Sequence, residues 1–584
     1  MRVVTNDLIQ KGFTVLNSKE VFSISIHDDI SKVPELLSAL LTENRLGGFL
    51  PVVDESAKLV GIITDSDYRK SLIKEPKTIS EIMNRSFVSL KEGMNPAEMA
   101  SSLLEQVAGF TNSVFFPITY IPVVSLDGKL KKIFHILELK PFIDALNREI
   151  IVFGQGFVGL TLSLVLASAG FKVYGVEDSN SRLKSLKHGN PMIFEPSIES
   201  MLNQHLGKNF TLLSPNELSE IPRAPFSSPR VYVVSVGTPL EEDRSPNLLQ
   251  VLNAILELSD NLRFGDLVVI RSTVPIGSTR ELIAKAIENN CGLEAGVDFN
   301  LAYCPERTIE GDAINELRKL PQLVGGYTPL CAEKAMNFFS VFVSSVVLME
   351  SLEACELAKL ASNSYRDVIF GFANELSLIA QVWNIDINRM ISEANSGYKR
   401  NSIPLPSPGV GGPCLTKDPY MLMKKSPIDG VIEAARRVNI EIVDQTVKRL
   451  VEFAKFRETK TLLCIGVAFK GEPATNDLRN STAVEICRSI ELLGIKIFVQ
   501  DLVVSEAAMI EENLIPLTHD DLCKIEGMLI LNNHKENQER VIKILSQNVA
   551  RIDWVFDPWS LLKSDDFKGK ISYYLNMSMV QELS

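Results

Sequence analysis

Cys414 is the residue of this chain with the clearest potential for covalent chemistry. It lies in the glycine-rich segment PGVGGPCLTKDP, residues 408–419, and Lys417 follows it three residues later. A thiolate is a strong nucleophile, and a neighbouring ammonium group favours the thiolate over the thiol. The segment therefore predicts a cysteine that can attack an electrophilic carbon such as an aldehyde carbonyl.

Two pairs of polar side chains can complete a site around such a nucleophile. Lys359 and Asn363 are four residues apart on a predicted long helix, so both project from one face and can together stabilise a developing alkoxide. Glu306 and Glu310 have the same spacing if PERTIEG is helical, and with Asp418 they are candidates for activating water. The structural alternative for the lysine and asparagine is a polar bridge between helices.

The other seven cysteines give no comparable signal. The sequence contains no C-x-x-C pair and no nearby histidine ligands, so we expect neither a disulfide framework nor a bound metal. In a reducing compartment such residues are most often small, buried apolar side chains. They are Cys291, Cys304, Cys331, Cys355, Cys464, Cys487 and Cys523.

The segment that begins at Glu149 has the pattern of a dinucleotide site. EIIVFGQGFVGLTLSLVLASAGFKVYGVE is typical of a strand, a glycine-rich turn, a helix and a second strand. A glycine triplet alone is weak evidence, because glycines also mark ordinary turns, but here it lies between a strand and a helix whose N-terminus can meet a pyrophosphate. The residues of this turn are Gly154, Gly156, Phe157, Val158 and Gly159.

Glu177 closes the second strand of this unit and indicates which dinucleotide is bound. A carboxylate at this position can accept hydrogen bonds from the ribose hydroxyls of adenosine and disfavours a 2′-phosphate. Asp178 is the competing acid, although Glu177 follows the strand more directly. The pattern predicts NAD rather than NADP.

A chain of 584 residues exceeds what one hydrophobic core usually serves, so several domains are expected. Strand-like runs at VYVVSVGTP and DLVVIRSTVP predict a parallel sheet with helices on both faces, and a helical stretch follows over about residues 351–393. The strand-like KTLLCIGVAFK then begins another α/β pattern. We predict an α/β fold with two Rossmann-like, doubly wound domains, residues 149–348 and 456–584, joined by a central helical domain, residues 349–455.

An internal repeat precedes these domains. PVVDESAKLVGIITDSDY, from Pro51, aligns with PVVSLDGKLKKIFHILEL, from Pro122. Each copy has the pattern strand, helix, strand, strand, helix, and neither is able to bury its apolar face alone. We expect the two copies to pack together as one α+β unit within residues 1–145.

The composition excludes several classes of partner. The formal net charge is −12, whereas general nucleic-acid binding needs a concentrated basic surface. The N-terminus lacks a positive stretch followed by an apolar core, and no apolar run approaches the roughly 20 residues that span a membrane. We therefore predict a globular cytosolic protein without nucleic-acid or membrane partners.

From about residue 149 to 505 the chain resembles the UDP-glucose/GDP-mannose dehydrogenase family. Six segments match the motifs of that family in order and spacing, which is far more specific than any single match. The resemblance implies an NAD-dependent enzyme that oxidises the C6 alcohol of a UDP-sugar to a uronic acid. The segments are VSVGTP (ending at 239), RSTVPIGST (271–279), CPERTIEGDA (304–313), ACELAKLASNSYR (354–366), PGVGGPCLTKDP (408–419) and GVAFKGEPATNDLRNS (466–481).

The resemblance also implies roles for individual residues. The thiol carries a thiohemiacetal and then a thioester, Glu310 is the first choice for activating water, and Asp418 orients Glu310 or Lys359. The implied catalytic residues are Cys414, Lys359, Asn363, Glu310, Asp418 and Thr273, which orders water or the cofactor. The implied cofactor contacts are Gly154, Gly156, Phe157, Val158, Gly159, Glu177, Thr238 and Arg479. The implied substrate contacts are Glu306, Lys470, Gly409, Gly411 and Gly412, whose glycines allow a close approach of the backbone.

The sugar is less narrowly specified than the reaction. The PER sequence, LPQLVGG from Leu320 and the DPY after Lys417 favour the UDP-N-acetylhexosamine branch, so UDP-N-acetylmannosamine or UDP-N-acetylglucosamine is expected. GPCLTKD departs from the GHC pattern of that branch, so UDP-glucose and GDP-mannose remain alternatives. Two further alternatives are a two-electron dehydrogenase of the 6-phosphogluconate or 3-hydroxyacyl type, and an inactive nucleotide-sensing regulator. The family also implies a homodimer formed through the central helices, or a higher homo-oligomer.

The N-terminal repeat resembles a pair of cystathionine-beta-synthase-type (CBS) domains, which typically bind adenine nucleotides. In that family the positions of Thr64 and Asp67 contact a ribose, and a hydroxyl with a carboxylate suits vicinal hydroxyls. The second copy has Lys132, His135 and Glu138 instead. The resemblance implies at most one competent adenine-nucleotide site, and a packing module without a ligand is the alternative.

Overall fold

The computed structural model describes residues 3–5, 23–42, 49–72, 76–94, 98–100, 102–103, 106, 120–135, 148–223, 229–400, 402–547 and 551–583. Glu138 lies outside these residues. No helix within these ranges combines the length and the apolar character needed to cross a bilayer.

The N-terminal repeat forms two three-stranded sheets with the same design. In the first, β2 (Ile24–Ser25) pairs in parallel with β3 (Phe49–Val53), which pairs antiparallel with β4 (Leu59–Thr64). In the second, β5 (Leu90–Lys91), β6 (Tyr120–Val124) and β7 (Leu130–His135) repeat this arrangement. The helices of this region are Lys32–Thr42, Asp65–Ser71 and Ile79–Ile82.

The two copies also contact each other symmetrically through their hairpin turns. The backbone N–H of Leu59 donates to the carbonyl of Gly128 at 3.0 Å, and the N–H of Leu130 donates to the carbonyl of Ala57 at 3.2 Å. Since Ala57 corresponds to Gly128 and Leu59 to Leu130 in the repeat, the two bonds are related by a pseudo-twofold axis. The predicted packing of the copies against each other is confirmed at these turns.

The first large domain is built on a nine-stranded sheet, most of which is parallel. From β8 the chain adds β9 and β10 on one side, and then returns to add β11, β12 and β13 on the other. Loops diverge at such a reversal and leave a crevice at the carboxyl ends of the strands. In spatial order the strands are β1 (Val3–Thr5), β15 (Ser345–Leu348), β14 (Gln322–Gly326), β13 (Asn300–Tyr303), β12 (Leu267–Ile270), β11 (Val231–Val234), β8 (Glu149–Phe153), β9 (Lys172–Val176) and β10 (Phe210–Leu213).

Strand β1 reaches this sheet from the start of the chain. It pairs antiparallel with β15, with Val3 opposite Val347. The predicted first domain of residues 1–145 therefore contributes a strand to the sheet of the next domain. The helices of the sheet domain are Phe157–Ser168, Asn180–Lys187, Ile198–His205, Leu249–Ser259, Lys285–Cys291, Ala313–Lys319 and Pro329–Phe339, with a 3₁₀ helix at Pro215–Glu220 and a π-helix at Thr279–Ala284.

Two long helices form the centre of the molecule. Leu352–Val382 packs against Val431–Phe456, and a Cβ atom at Gly371 would lie 2.9 Å from the Cβ of Ala435, so the helices cross closely at that glycine. The predicted helical stretch over 351–393 is interrupted after Val382 and resumes at Ile387–Asn395. A short helix, Asp418–Met423, follows the glycine-rich loop.

The C-terminal domain is a second doubly wound unit with a seven-stranded sheet. Its strands pair in parallel except the last two, so the predicted fold class is confirmed. In spatial order they are β18 (Ile515–Pro516), β17 (Lys496–Gln500), β16 (Thr461–Ile465), β19 (Gly527–Ile530), β20 (Trp554–Phe556), β21 (Tyr573–Leu575) and β22 (Val580–Glu582). Its helices are Thr482–Leu492, Glu506–Glu511, Asn537–Ser546 and Ser564–Phe567, with a 3₁₀ helix at His519–Lys524.

Candidate active site

The glycine-rich turn after β8 leaves the start of the next helix open. Gly154 adopts a φ of 81°, and a Cβ atom at Gly159 would lie 1.7 Å from the carbonyl oxygen of Gly154. Only glycine therefore allows the helix to approach the turn so closely. A Cβ atom built at Gly156 would have no described atom within 4 Å, apart from its neighbours in the chain. No side chain caps the first N–H groups of the helix, at Phe157 and Val158. These groups are free to bind a phosphate.

Glu177 lies beside this turn at the end of β9. Its Oε2 accepts a hydrogen bond from the backbone N–H of Gln155 at 2.8 Å, and its Oε1 accepts from Ser179 at 2.9 Å and from Arg182 at 3.2 Å. The carboxylate is thus fixed in place, and Oε2 has a lone pair left for a ligand hydroxyl. Asp178, the competing acid, is exposed on the same cleft.

A cleft of about 960 Å³ joins the turn to the catalytic loop. Its walls come from three domains: Glu177 belongs to the first, Lys417 and Arg436 to the central region, and Arg479 to the last. Thr238, which follows β11, also lines it and accepts a long hydrogen bond of 3.5 Å from the Nζ of Lys417. The structure therefore brings the predicted cofactor residues and the loop of Cys414 to one cavity.

Cys414 is an exposed residue of the loop whose Pro413, Thr416 and Lys417 line this cleft, and charged groups act on its thiol. Loss of hydration, with Asp418 and Glu306 nearby, raises the pKa of its thiol to about 11, although Lys359 and Lys417 act in the opposite direction. The predicted effect of Lys417 therefore has the right sign but is outweighed, because desolvation disfavours a thiolate. A further positive charge would be needed to populate the thiolate near neutral pH.

Asp418 connects the catalytic loop to the long helix. Its Oδ2 accepts from the side-chain amide of Asn363 at 2.6 Å, and its Oδ1 accepts from the Nζ of Lys417 at 2.7 Å. We expected Asp418 to orient Glu310 or Lys359, and the structure gives it these other partners. The carboxylate is fully buried, so both contacts are formed away from bulk water.

Lys359 lies one turn before Asn363 on the same helix face, as predicted. Its Nζ is 3.9 Å from the Oε2 of Glu306, and both side chains are largely buried. The expected helix at PERTIEG is wrong: residues 304–309 are irregular, and a turn at Glu310 and Gly311 precedes the helix Ala313–Lys319. Glu306 and Glu310 therefore reach the site from an extended loop.

Glu310 contacts the C-terminal domain. Its Oε2 accepts from the hydroxyl of Thr475 at 3.1 Å, its Oε1 lies 3.5 Å from Arg479, and its carbonyl oxygen accepts from the Nζ of Lys470 at 2.5 Å. Burial and the nearby Asp477 raise the pKa of Glu310 to about 7. Burial lowers the pKa of Lys470 to about 8. Both groups can therefore exchange protons near neutral pH.

The glycines of the catalytic loop pack against protein. A Cβ atom at Gly409 would collide with Thr482, one at Gly411 with the carbonyl oxygen of Asn480, and one at Gly412 with the ring of Phe469. The close packing of the loop on the C-terminal domain is therefore enough to require glycine at these positions.

Thr273 lies three residues after β12, in the loop between that strand and the π-helix, and is half-buried. No group of three or more His, Cys, Asp or Glu side chains among the described residues is arranged to hold a metal.

Family models match almost the whole region after residue 147. The NAD binding domain of the UDP-glucose/GDP-mannose dehydrogenase family matches residues 148–343, its central domain matches 353–441, and its UDP binding domain matches 463–564. The chain belongs to the UDP-glucose/GDP-mannose dehydrogenase family. A CBS domain model also matches residues 15–74 of this dehydrogenase.

Curated relatives align with this dehydrogenase over most of their own length. A UDP-N-acetyl-D-mannosamine dehydrogenase of Pyrococcus horikoshii is 33% identical over 350 residues, which are 58% of this chain and 81% of the relative. An NDP-N-acetyl-D-galactosaminuronic acid dehydrogenase of Ralstonia solanacearum is 30% identical over 350 residues, 59% of this chain and 80% of the relative. A solved structure of the UDP-D-ManNAc dehydrogenase from Pyrococcus horikoshii has a TM-score of 0.63 at 28% identity and covers 74% of this chain and 99% of that one.

NAD is the cofactor of this family, and the residues of this dehydrogenase fit it. The open helix start at Gly156 suits a pyrophosphate, and the fixed carboxylate of Glu177 suits ribose hydroxyls. When bound, NAD accepts hydride. The prediction of an NAD-dependent oxidoreductase is thus confirmed by the family match and is consistent with the geometry of the cleft.

Two buried charged residues near the site were not predicted. Arg436 lies 3% exposed between the long helices, and Glu195 accepts from the backbone N–H of Gly311 at 2.8 Å beside Glu310. The sequence does contain a signal that Arg436 is buried, because Arg436, Asn439 and Val443 follow the i, i+3, i+7 spacing of the buried helix face. Glu195 lies in an irregular segment, and its spacing gives no such signal.

The two CBS residues singled out in the sequence contact each other. The hydroxyl of Thr64 donates to the Oδ2 of Asp67 at 2.7 Å, and the backbone N–H of Asp67 donates to the hydroxyl of Thr64 at 3.2 Å. Together they form a capping box at the start of the helix Asp65–Ser71. The pair therefore has a structural role whether or not a nucleotide binds.

Proposed function

We propose that this dehydrogenase oxidises the C6 alcohol of a UDP-N-acetylhexosamine, UDP-N-acetylmannosamine or UDP-N-acetylglucosamine, to the uronic acid in two NAD-dependent steps. The observation that carries the proposal is that the loop of the exposed Cys414 lines the same cleft as the glycine-rich turn, through Pro413, Thr416 and Lys417. The named activities of the relatives from Pyrococcus horikoshii and Ralstonia solanacearum support the N-acetylated sugar.

Lys359 and Asn363 stabilise negative charge on the C6 oxygen in the first step. Removal of a hydride and a proton from the alcohol leaves an aldehyde, and two donors on one helix face can bind its developing alkoxide. Asp418 accepts from Asn363 and so fixes the direction of that amide. Thr273 orders water or the cofactor for this step.

Cys414 makes the second oxidation possible. Its sulfur adds to the aldehyde carbon and forms a thiohemiacetal, and loss of a second hydride and proton leaves a thioester. Lys359 and Lys417 favour the thiolate that begins this step.

Glu310 activates the water that hydrolyses the thioester and releases the acid. A carboxyl with a pKa of about 7 is divided between base and acid forms near neutral pH, which suits general-base catalysis. Lys470, Glu306 and the backbone at Gly409, Gly411 and Gly412 bind the substrate, and Arg479 contacts the cofactor from the C-terminal domain.

The test is the number of NADH formed per sugar consumed. UDP-N-acetylmannosamine, UDP-N-acetylglucosamine, UDP-glucose and GDP-mannose would be assayed in parallel with the purified full chain. Two NADH per sugar with an N-acetylated substrate is the expected result. Two with UDP-glucose or GDP-mannose would keep the reaction and change the sugar, whereas one would indicate a two-electron dehydrogenase and none a regulator.

We further propose a homodimer formed through the central helices. Tyr365, Phe372 and Ile379 are spaced by seven residues on the long helix, and each is at least half exposed. An apolar stripe of this kind is typical of an interface. Light scattering after chromatography should show a dimer for the wild type and a monomer for Phe372→Glu, with Glu375→Ala as the exposed control on the same helix.

We also propose an adenine nucleotide at the CBS pair that tunes activity. The capping box uses only the Oδ2 of Asp67, so the Oδ1 of this carboxylate can still accept a hydrogen bond from a ribose hydroxyl. ATP and AMP would be titrated against the wild type and Asp67→Asn. A nucleotide-dependent change in rate that is lost in the variant is expected, and equal rates throughout would leave a packing module.

A cytosolic location is consistent with the cysteines. All eight are free thiols in the structure, as is usual in a reducing compartment.

A further inference from the structure

A buried ion pair links the two long helices beneath the catalytic loop. The Nη1 of Arg436 lies 2.7 Å from the Oδ1 of Asp367, and their side chains are 4% and 0% exposed. Removing two charges from water costs more than such a pair usually returns in stability. The pair therefore calls for an explanation other than stability.

Arg436 also donates to the backbone of the loop that carries Cys414. Its Nη1 reaches the carbonyl oxygen of Leu415 at 2.9 Å, and its Nη2 reaches the carbonyl oxygen of Val410 at 3.4 Å. These two carbonyls lie on either side of the GGPC segment. A guanidinium has several donors in one rigid plane and can bind both carbonyls and a carboxylate at once, whereas an ammonium group has no such geometry.

The same network binds the beginning of the loop. The side-chain amide of Asn439 donates to the Oδ1 of Asp367 at 2.9 Å, and Asn374 donates to the Oδ1 of Asn439 at 2.9 Å. The Oδ1 of Asn374 accepts from the backbone N–H of Ser407 at 2.9 Å. Polar residues of both long helices thus fix the loop where it starts, at Ser407, and next to Cys414.

The loop is fixed from its other end by Asp418, which binds Asn363 and Lys417. Between the two anchors, Cys414 remains exposed. The position of its sulfur relative to Lys359 and Asn363 therefore depends on the backbone that Arg436 binds.

We propose that Arg436, oriented by Asp367, is a positioning residue that fixes the loop so that the sulfur of Cys414 can attack the aldehyde. This role rests on the proposed function, because it requires Cys414 to be the nucleophile. Only the second oxidation uses the thiol, so a loss of positioning should slow that oxidation much more than the first hydride transfer.

The test uses Arg436→Lys in the full chain, with Arg437→Lys as the control, since Arg437 is the exposed neighbour on the same helix. Rapid-mixing measurements would follow the first and second NADH separately. Because small misplacements of a reacting group cost about a hundredfold in rate, the second step should fall by roughly that factor in Arg436→Lys. The first NADH should form at the wild-type rate in Arg437→Lys and should slow far less than the second in Arg436→Lys, whose side chain also lines the cleft.

Alkylation of Cys414 by iodoacetamide supplies a second readout that needs no turnover. Its rate as a function of pH, measured by mass spectrometry of the Cys414 peptide, should change in Arg436→Lys and match the wild type in Arg437→Lys. If Arg436→Lys does not fold, the double variant Asp367→Asn/Arg436→Gln, which removes both buried charges together, would be measured in its place and should show the same selective effects.

Equal slowing of both oxidations, or an unchanged alkylation profile in a folded variant, would overturn the proposal. Failure of the proposed function would be recognised separately, since the wild type would then not form two NADH from any of the four sugars. The alkylation profile still decides the positioning role in that case.

Discussion

The side-chain amide of Asn363 donates to the Oδ2 of Asp418 at 2.6 Å, and both residues are buried. This bond joins the long helix to the loop of Cys414. In Asp418→Asn, an amide NH₂ group replaces one of the two carboxylate oxygens. This donor then faces another donor, which is the side-chain amide of Asn363 or the ammonium group of Lys417. We expect kcat to fall by about a hundredfold or more, as for loss of one donor to an oxyanion, with a smaller change in KM. Steady-state kinetics would measure this, and the exposed Asp429→Asn should behave as the wild type.

The pKa of Glu310 predicts the pH dependence of thioester hydrolysis. Its carboxylate is the base form and predominates above pH about 7, so the rate of thioester hydrolysis should rise as the pH increases through that value. Glu310→Gln should remove this rise and allow the thioester on Cys414 to accumulate. Acid quenching followed by intact-mass analysis would detect the adduct, and the exposed Glu333→Gln is the control. A pH profile unaltered in Glu310→Gln would show that another group activates the water.

Replacement of Cys414 separates the two oxidations. A serine hydroxyl is a much weaker nucleophile than a thiolate, so Cys414→Ser should stop after the aldehyde and form no uronic acid. NADH counting with chromatography of the sugar products would establish this. Cys523→Ser, which changes another exposed cysteine, should retain both steps. Full acid production at the wild-type rate by Cys414→Ser would exclude a mechanism that requires the thiol.

The crossing of the long helices should be sensitive to volume at Gly371. A Cβ atom there would lie 2.9 to 3.0 Å from Ala435, so Gly371→Ala forces the helices apart. Overpacking of this kind costs about 1–3 kcal/mol, which should lower the free energy of unfolding and the melting temperature. Differential scanning calorimetry would measure the change. An alanine at the exposed Glu375 should have little effect, and a Gly371→Ala protein as stable as the wild type would mean that the helices can relax.

Elements with strong local patterns were predictable from the sequence. The turn at Gly154 follows from glycine spacing between a strand and a helix, and the pairing of Lys359 with Asn363 on one face follows from helix periodicity. The repeat at Pro51 and Pro122 was visible as self-similarity, and the structure reproduces even its strand register. For the turn and the helix face the information lies within a few turns of chain, and for the repeat it lies in the comparison of its two copies.

Features that depend on distant contacts were not predictable. The partners of Asp418, the irregular path of Glu306 and Glu310, and the raised pKa of Cys414 all follow from which domains meet at the cleft. The spacing of Glu306 and Glu310 matches a helix, but Glu310 instead contacts the C-terminal domain through Thr475, and no local pattern encodes that contact. The same holds for the glycines of the catalytic loop, whose explanation is the ring of Phe469 and the backbone at Asn480.

Strand β1 makes the CBS pair an insertion within the dehydrogenase sheet. Val3–Thr5 covers the edge of β15, and both CBS copies lie in the chain between that strand and β8. A simple N-terminal deletion would therefore strip a strand from the sheet and leave β15 as an unpaired edge, which favours aggregation. An excision that joins residue 5 to residue 148 through a flexible linker would remove the module and keep the sheet closed.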